Sequence, residues 1–328
     1  MPVCLVTGAT GAIGPRVVDA LGRTFEIRTF SRHAPPSGMF SIPVSAVVGD
    51  VADPIAVRTA IRGAAVVIHL ASLLHVSNPS RHLQAEYTRV NVNGTAAVVD
   101  AARDEGVSRV VMVSTIAVYG QGRPGQEWLD EDSPAAPDSP YAETKLAAER
   151  MALAARSLDG YPLCTVLRSA AVYGPRVKGN YRRLVRALAR RRFVAVGPGT
   201  NRRTVIFDAD LASAVGLAAV HPSAAGRLYN VSDGTTHTLR EIVDAICAAL
   251  GRRPPRWHLP IAPVRLALGL AALLNRALPR MLDKYLEDLP VRASRIQEDL
   301  GFRPRVDLHR GWALTVEEMR RRGDLPRN

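Results

Sequence analysis

Six strand-like runs punctuate the first half of the chain: Val3–Val6, Phe25–Phe30, Val44–Val48, Val66–Leu70, Arg109–Val113 and Leu163–Leu167. Most are nearly continuous in apolar side chains, as strands are when both faces are buried. Helix-spaced stretches lie between them, at Pro15–Leu21, Pro54–Arg62, Leu83–Glu105 and Tyr141–Leu158. Such alternation predicts a parallel sheet covered by helices on both faces. The expected fold class is α/β, a doubly wound parallel sheet, which takes its ligands beyond the carboxyl ends of the strands.

The rhythm breaks after Gly174-Pro175. Asn180–Arg192 reads as a basic helix, Val205–Val220 as a strand and helix, Leu228–Val231 as a short strand, and Leu239–Leu250 as a helix closed by Gly251. Residues 1–174 are expected to form the sheet domain, with 205–235 returning to it. Residues 175–204 and 236–328 are left for a smaller, discontinuous substrate lobe. Within that lobe Ile261–Leu278 is strongly apolar and helix-spaced. Arg265 and Arg276 interrupt it and leave an uncharged centre too short to span a bilayer. It is expected to be buried or to cover a substrate; the sharper alternative is a helix lying in a membrane interface.

A chain of 328 residues with 47% hydrophobic content suits one large domain or two intimately joined ones. Cys4, Cys164 and Cys247 lie far apart, which suggests core thiols in a reducing compartment, with neither a disulfide nor a metal site. The N-terminus lacks a basic region followed by an apolar one, so a cytoplasmic protein is expected. The net charge of +13 is carried almost wholly by arginine, because Lys145, Lys178 and Lys284 are the only lysines. No nucleic-acid motif accompanies it. The charge is therefore read as steering an anionic nucleotide and an anionic substrate into a cleft.

The candidate chemistry begins at the first strand. Thr7-Gly8-Ala9-Thr10-Gly11-Ala12-Ile13-Gly14 joins it directly to a helix. In such a turn the first glycine permits the sharp bend, the second lets backbone approach a pyrophosphate, and the third allows close helix–strand packing. Thr10, Gly11, Ala12, Ile13 and Gly14 are then expected to face the anion with free N–H groups at the positive end of the helix. Tyr141-Ala142-Glu143-Thr144-Lys145 is the second anchor, with Ser139 as cap and Pro140 at the first helical position. Tyr141 and Lys145 fall on one face, and an ammonium beside a phenol lowers its pKa, which suits proton transfer at a carbinol oxygen. Ser114-Thr115 ends the fifth strand, where a hydroxyl can bind a substrate carbonyl.

Taken in order, these residues resemble a family. Asp50-Val51, His69-Leu70-Ala71-Ser72, Asn91-Val92-Asn93-Gly94-Thr95, Val118-Tyr119-Gly120, Leu167-Arg168 and Val172-Tyr173-Gly174-Pro175 join the glycine turn and the Tyr141/Lys145 pair. The set resembles extended short-chain dehydrogenases/reductases with a Rossmann domain, the NAD-dependent epimerase/dehydratase group. The resemblance implies Thr115 as catalytic hydroxyl with Ser114 beside it. It implies Asp50 and Val51 at the adenine, and Leu70, Ala71, Ser72 and Asn91 in the cofactor site, Ala71 and Asn91 near the ribose and nicotinamide.

Departures from the family pattern narrow the choice. The second strand ends Phe30-Ser31-Arg32, where NAD-dependent members usually carry an acid. Serine and arginine suit a 2′-phosphate, so NADP is favoured and NAD stays open. Ile116 and Ala117 stand where dehydratases carry Asp-Glu, and Ala171 where many epimerases carry asparagine. Arg203 matches an arginine that meets a substrate diphosphate, and Asn180 is a weaker substrate contact. The favoured function is NADPH-dependent reduction of a 4-keto nucleoside-diphosphate sugar, with Tyr141 as proton donor. Three alternatives stand: a nucleotide-sugar 4-epimerase retaining NAD, a reductase of apolar carbonyls of the steroid or flavonol type, and a nucleotide-sensing protein without turnover. The resemblance allows a homodimer, for which the alanine-rich stretches Ala96–Ala102 and Ala147–Ala155 permit close helix packing, and leaves a monomer open.

Overall fold

A computed structural model describes residues 1–74, 81–122, 127–176, 178–271 and 285–325. Six strands run through the first half: β1 (Val3–Thr7), β2 (Glu26–Ser31), β3 (Ser45–Val48), β4 (Val66–His69), β5 (Arg109–Thr115) and β6 (Cys164–Ser169). Shorter strands follow: β7 (Ala171–Tyr173), β8 (Ala195–Val196), β9 (Arg202–Arg203), β10 (Val205–Phe207), β11 (Leu228–Val231), β12 (His237–Thr238) and β13 (His258–Leu259). The main sheet has the order β11-β6-β5-β4-β1-β2-β3, and every pairing in it is parallel. The doubly wound parallel sheet expected from the apolar runs is thus the observed core. β11 supplies its seventh strand, with Leu228 opposite Val166 and Val231 opposite Ser169.

The helices of this part are α1 (Gly14–Leu21), α2 (Pro54–Ile61), α3 (Arg81–Tyr87), α4 (Gly94–Asp104), α5 (Pro140–Ala154), α6 (Gly179–Ala189), α7 (Asp208–Val220) and α8 (Leu239–Leu250); α1, α2, α4, α5 and α7 cover the sheet, and α6 and α8 belong to the C-terminal half. One face buries Cys4, Val6 and Ile68 against Val17 and Val18 of α1 and Leu211 and Val215 of α7. The other buries Leu5, Val67 and Met112 against Ile61 of α2, Val98 of α4 and Ala152 of α5. A third core sits in the C-terminal half, where Tyr173, Val185 and Ile246 pack on Trp312 and Val316 of the Leu308–Arg321 helix.

Local chemistry sets several boundaries. Asp53 caps α2 by accepting from the Ile55 and Ala56 amides at 2.9 and 3.3 Å. Thr238 and Glu241 form a reciprocal capping box on α8, and Gly251 ends that helix in the left-handed conformation. β5 runs two residues beyond the apolar stretch, because Ser114 and Thr115 pair with Arg168 and Ser169. α5 stops at Ala154, four residues short of expectation. The chain turns back there through a Ser157 amide bond to the Tyr161 carbonyl at 2.8 Å. The single helix expected over Leu83–Glu105 is interrupted by a wide π-turn at Thr88–Asn93, between α3 and α4.

The Ile261–Leu278 stretch departs from expectation. It is helical over Ile261–Ala271, and residues 272–278 lie outside the described residues. The described part is not a buried helix: Ile261, Val264 and Leu268 are half-buried, while Ala262, Arg265 and Leu266 face solvent. Among the described residues no helix is long and apolar enough to cross a membrane.

Candidate active site

The glycine turn closes over the carboxyl end of β1. Gly8 has φ +67°, and a Cβ there would lie 2.7 Å from Ala71 backbone atoms, so both the bend and the approach of the β4 end require glycine. A Cβ on Gly14 would lie 2.0 Å from the Ala9 carbonyl oxygen. α1 therefore starts tight against the turn, and among the described residues its N-cap, Ile13, supplies no side-chain cap. The first amides of α1 are left for an anion. At the end of β2, the Ser31 hydroxyl is buried without a hydrogen-bond partner among the described residues. Arg32 is exposed beside it. Asp50 accepts from the Ala52 amide at 3.0 Å and pairs with Arg89 at 2.8 Å. Burial opposes ionisation of Asp50, but these partners and the nearby Arg32 charge hold its carboxyl below the usual range. Val51 is buried under Gly94. An uncapped helix start, a cradle that a Cβ would fill and an orphaned Ser31 hydroxyl together fit a dinucleotide.

His69, at the end of β4, is fully enclosed. Its Nδ1 is 2.8 Å from Thr7 Oγ1 and its Nε2 3.0 Å from Thr95 Oγ1. Thr95 spends its own proton on the Asn91 carbonyl at 2.7 Å, and Thr7 Oγ1 accepts from the Ala71 amide at 3.2 Å. Thr7 therefore donates to Nδ1, and Nε2–H donates to Thr95: the imidazole is neutral and in one tautomer. Burial, with the Lys145 charge, pushes its pKa down to about 3. Asn91, in the π-turn, accepts from the Leu73 amide at 2.8 Å and from the Ser72 hydroxyl at 3.1 Å, and donates to Thr144 of α5 at 3.2 Å.

α5 begins as its sequence indicates, with Ser139 as cap, Pro140 in the first turn and Glu143 near the positive end. The Tyr141 hydroxyl lies within hydrogen-bonding reach of Ser72 and Thr115. Its ring meets Tyr87 edge-on at 6.0 Å between centroids. Thr115 Oγ1 also accepts from the Ala117 amide at 3.2 Å, and the Ser114 hydroxyl is buried without a hydrogen-bond partner among the described residues. One turn on, buried Lys145 donates to the Val113 carbonyl at 2.9 Å. Burial lowers its pKa to about 8 although Glu149 opposes this. The expected lowering of the tyrosine pKa is not what the structure gives. Burial, helped by Tyr87, pushes Tyr141 up to about 12, and the ammonium is turned to a backbone carbonyl. At neutral pH Tyr141 carries its proton.

A family model, NAD dependent epimerase/dehydratase family, matches residues 4–232. The chain belongs to this family. It is thereby an enzyme of the short-chain dehydrogenase/reductase type. Among its relatives, the UDP-glucose 4-epimerase of Vibrio cholerae is 29% identical, covering 95% of this chain and 94% of that one. The 2-alkyl-3-oxoalkanoate reductase of Stenotrophomonas maltophilia is 31% identical, covering 94% and 96%. The solved structure of MoeE5 in complex with UDP-glucuronic acid and NAD superposes with a TM-score of 0.77 at 29% identity, covering 98% and 100%.

In this epimerase/dehydratase chain the two expected substrate residues lie on β9 and on the first turn of α6. Arg203 pairs with Glu287 at 2.7 Å and donates to the Tyr285 carbonyl at 2.8 Å. Asn180 is exposed on the first turn of α6. The α6 arginines are partly engaged: Arg182 and Arg186 both bind Asp324, while Arg183 and Arg190 are exposed. A feature not read from the sequence is a cavity of about 160 Å³ between Thr10, Gly11 and Ala12 on one side and Arg176, Lys178 and Arg322 on the other. Partial burial and the like charges of Arg322 and Arg16 hold the Arg176 pKa below its ordinary value. A guanidinium so placed beside an uncapped helix start is a built-in anion partner. Nothing in the sequence separates it from the other arginines. The His69 relay left a signal, a polar residue at the end of an apolar strand.

Proposed function

We propose that this enzyme is an NADPH-dependent reductase of a 4-keto nucleoside-diphosphate sugar. The reading is carried by the protonated Tyr141 hydroxyl beside Thr115 and Ser72. A bound nicotinamide cofactor supplies the hydride. The residues of the chain supply the rest. Thr115 Oγ1 binds the keto oxygen, Tyr141 delivers a proton to that oxygen as it gains charge, and Ser114 offers a second hydroxyl nearby. Lys145 holds positive charge beneath the site and binds the nicotinamide ribose. Asn91 fixes Ser72 and the start of α5, and so the approach of Tyr141. Gly8, Thr10, Gly11, Ala12, Ile13 and Gly14 bind the pyrophosphate, with Arg176 across the cavity. Leu70 and Ala71 line the cofactor, and Asp50 and Val51 the adenine.

NADPH is favoured over NADH because β2 ends in Ser31 and Arg32, with no carboxylate to repel a 2′-phosphate. Ile116 and Ala117 offer no acid or base for eliminating water, which argues against dehydration. Arg203 is kept as the diphosphate contact, and a diphosphate has to compete there with Glu287. A second reading, 4-epimerisation with retained NAD, draws support from the likeness to the Vibrio cholerae epimerase. The two are separated by titrating purified protein with NADPH and NADH and checking its absorbance and fluorescence for carried-over cofactor. Exchangeable NADPH, bound at least about tenfold more tightly than NADH, is expected for the reductase. Copurified NAD that does not exchange overturns it in favour of the epimerase.

A further inference from the structure

The apolar segment singled out in the C-terminal lobe borders a groove lined by Arg256, Trp257 and Tyr285, whose carbonyl also accepts from Arg203. β13 pairs with β8, placing His258 opposite Ala195 and Leu259 opposite Val196. Arg252 donates to the Leu188 carbonyl at 3.0 Å, which seats the start of this segment on the end of α6. Ile261 packs on Gly197, where a Cβ would lie 2.8 Å from it. The end of α6, β8, β13 and the start of the Ile261–Ala271 helix are thereby brought together.

This part of the lobe exposes large apolar groups. Trp257 is 90% exposed, Leu266 68%, Val194 60% and Leu259 49%. Arg190, Arg191, Arg192, Arg253 and Arg256 are exposed among them. The charge is one-signed over long stretches: no Asp or Glu occurs between Asp159 and Asp208, or between Asp244 and Asp283. Asp244, in the groove beside Trp257 and Arg256, is the one carboxylate lining that groove among the described residues. Exposed apolar side chains are ordinary when scattered and informative when clustered. Tryptophan with leucine amid arginines is the composition that suits the headgroup layer of a bilayer. There the indole sits at the polar–apolar boundary and guanidinium groups meet lipid phosphates.

We propose that this face docks the enzyme on an anionic membrane surface, with Trp257, Leu259 and Leu266 entering the headgroup layer and Arg253 and Arg256 on lipid phosphates. Charge complementarity selects this occupant over a second copy of the chain: the face is basic with apolar tips, and a second copy would present the same positive charge to it. Attachment is peripheral and depends on ionic strength, since exposed charges are screened by salt.

The chain carries its own reporter. Trp312 is fully buried and Trp128 is half-buried under Arg292, so Trp257 dominates any change in emission on docking. The full-length protein is mixed with phosphatidylcholine vesicles, with and without phosphatidylglycerol, and followed by tryptophan emission and co-sedimentation. The expected result is a blue shift and sedimentation with phosphatidylglycerol only, reversed by high salt. Arg253→Gln with Arg256→Gln is expected to weaken partitioning about tenfold or more. Trp257→Gln is expected to weaken it and abolish the blue shift, while cofactor titration of both variants is unchanged. No binding to phosphatidylglycerol vesicles at low salt overturns the proposal. So does full binding by the arginine variant, which would mean that net charge alone acts. A Trp257-dependent dimer in lipid-free sedimentation velocity overturns it in favour of a second copy.

Discussion

A tyrosine that keeps its proton is suited to one direction of carbonyl chemistry. Burial pushes Tyr141 up to about 12, so at neutral pH its hydroxyl keeps its proton, the state that the proposed reduction of a ketone requires. Tyr141→Phe is expected to lower turnover by about 10²–10⁴-fold while NADPH still titrates by fluorescence; near-normal turnover removes the tyrosine from the mechanism. Lys145 is expected to set the pH profile of the proposed reduction. Its folded pKa of about 8 lies below the ordinary lysine value, so the ammonium is present below pH 8 and lost above it. Reduction is expected to slow as pH rises through about 8, and Lys145→Met to be slow and flat over the same range. A wild-type profile level to pH 10 would separate Lys145 from the chemistry. At the far end of the cofactor site, Ser31→Asp places a carboxylate where the 2′-phosphate is proposed to bind. It is expected to reverse the NADPH preference in the same titration.

Elements meet at single polar side chains. His69 joins β1 through Thr7 and α4 through Thr95, and it does so only as the neutral ring. Its folded pKa of about 3 lies below the unfolded value of about 6.5. Between these values the unfolded chain binds the extra proton, so stability is intact above pH 6.5 and falls as pH drops toward 3. At pH 5 the loss is about 2 kcal/mol. Urea unfolding at pH 7 and pH 5 tests this: His69→Asn should lose about 2 kcal/mol less than wild type between the two, and equal losses would refute the assignment. Such ties explain what was legible in the chain and what was not. Strand β4 was readable because Val66, Val67 and Ile68 are apolar on both faces, and α5 because Ser139, Pro140 and Glu143 are local start signals. The site residues on the glycine turn and on α5 were readable for the same reason, since their geometry is set within a few residues. The π-turn at Asn91 was not readable, because it is held by partners on Leu73 and Thr144, far away in sequence. The tyrosine pKa was misread because helical spacing shows Lys145 near Tyr141, but not the burial that outweighs it.

At the scale of the whole molecule, the C-terminal segment is laced into the sheet domain through one buried hydroxyl. Thr204 Oγ1 donates to the Leu289 carbonyl at 2.9 Å and accepts from the Val291 amide at 2.9 Å. The same segment exchanges backbone bonds with Leu129: the Leu129 amide donates to Pro290 and the Arg292 amide to Leu129. Glu287 and Asp288, which hold Arg203 and Arg202, lie at its start, so the site proposed for the substrate diphosphate depends on this lacing. Thr204→Val keeps the shape and leaves one buried carbonyl and one buried amide without this partner. Each orphaned group costs about 1–3 kcal/mol, so a clear fall in the urea midpoint is expected. The glycine turn lies outside this contact, and NADPH affinity should persist below the transition. If substrate affinity falls with stability while cofactor affinity stays level, the segment positions the substrate side of the cleft. If cofactor affinity falls in parallel, the two halves fold and bind as one unit, and the diphosphate contact at Arg203 has no independence from the sheet.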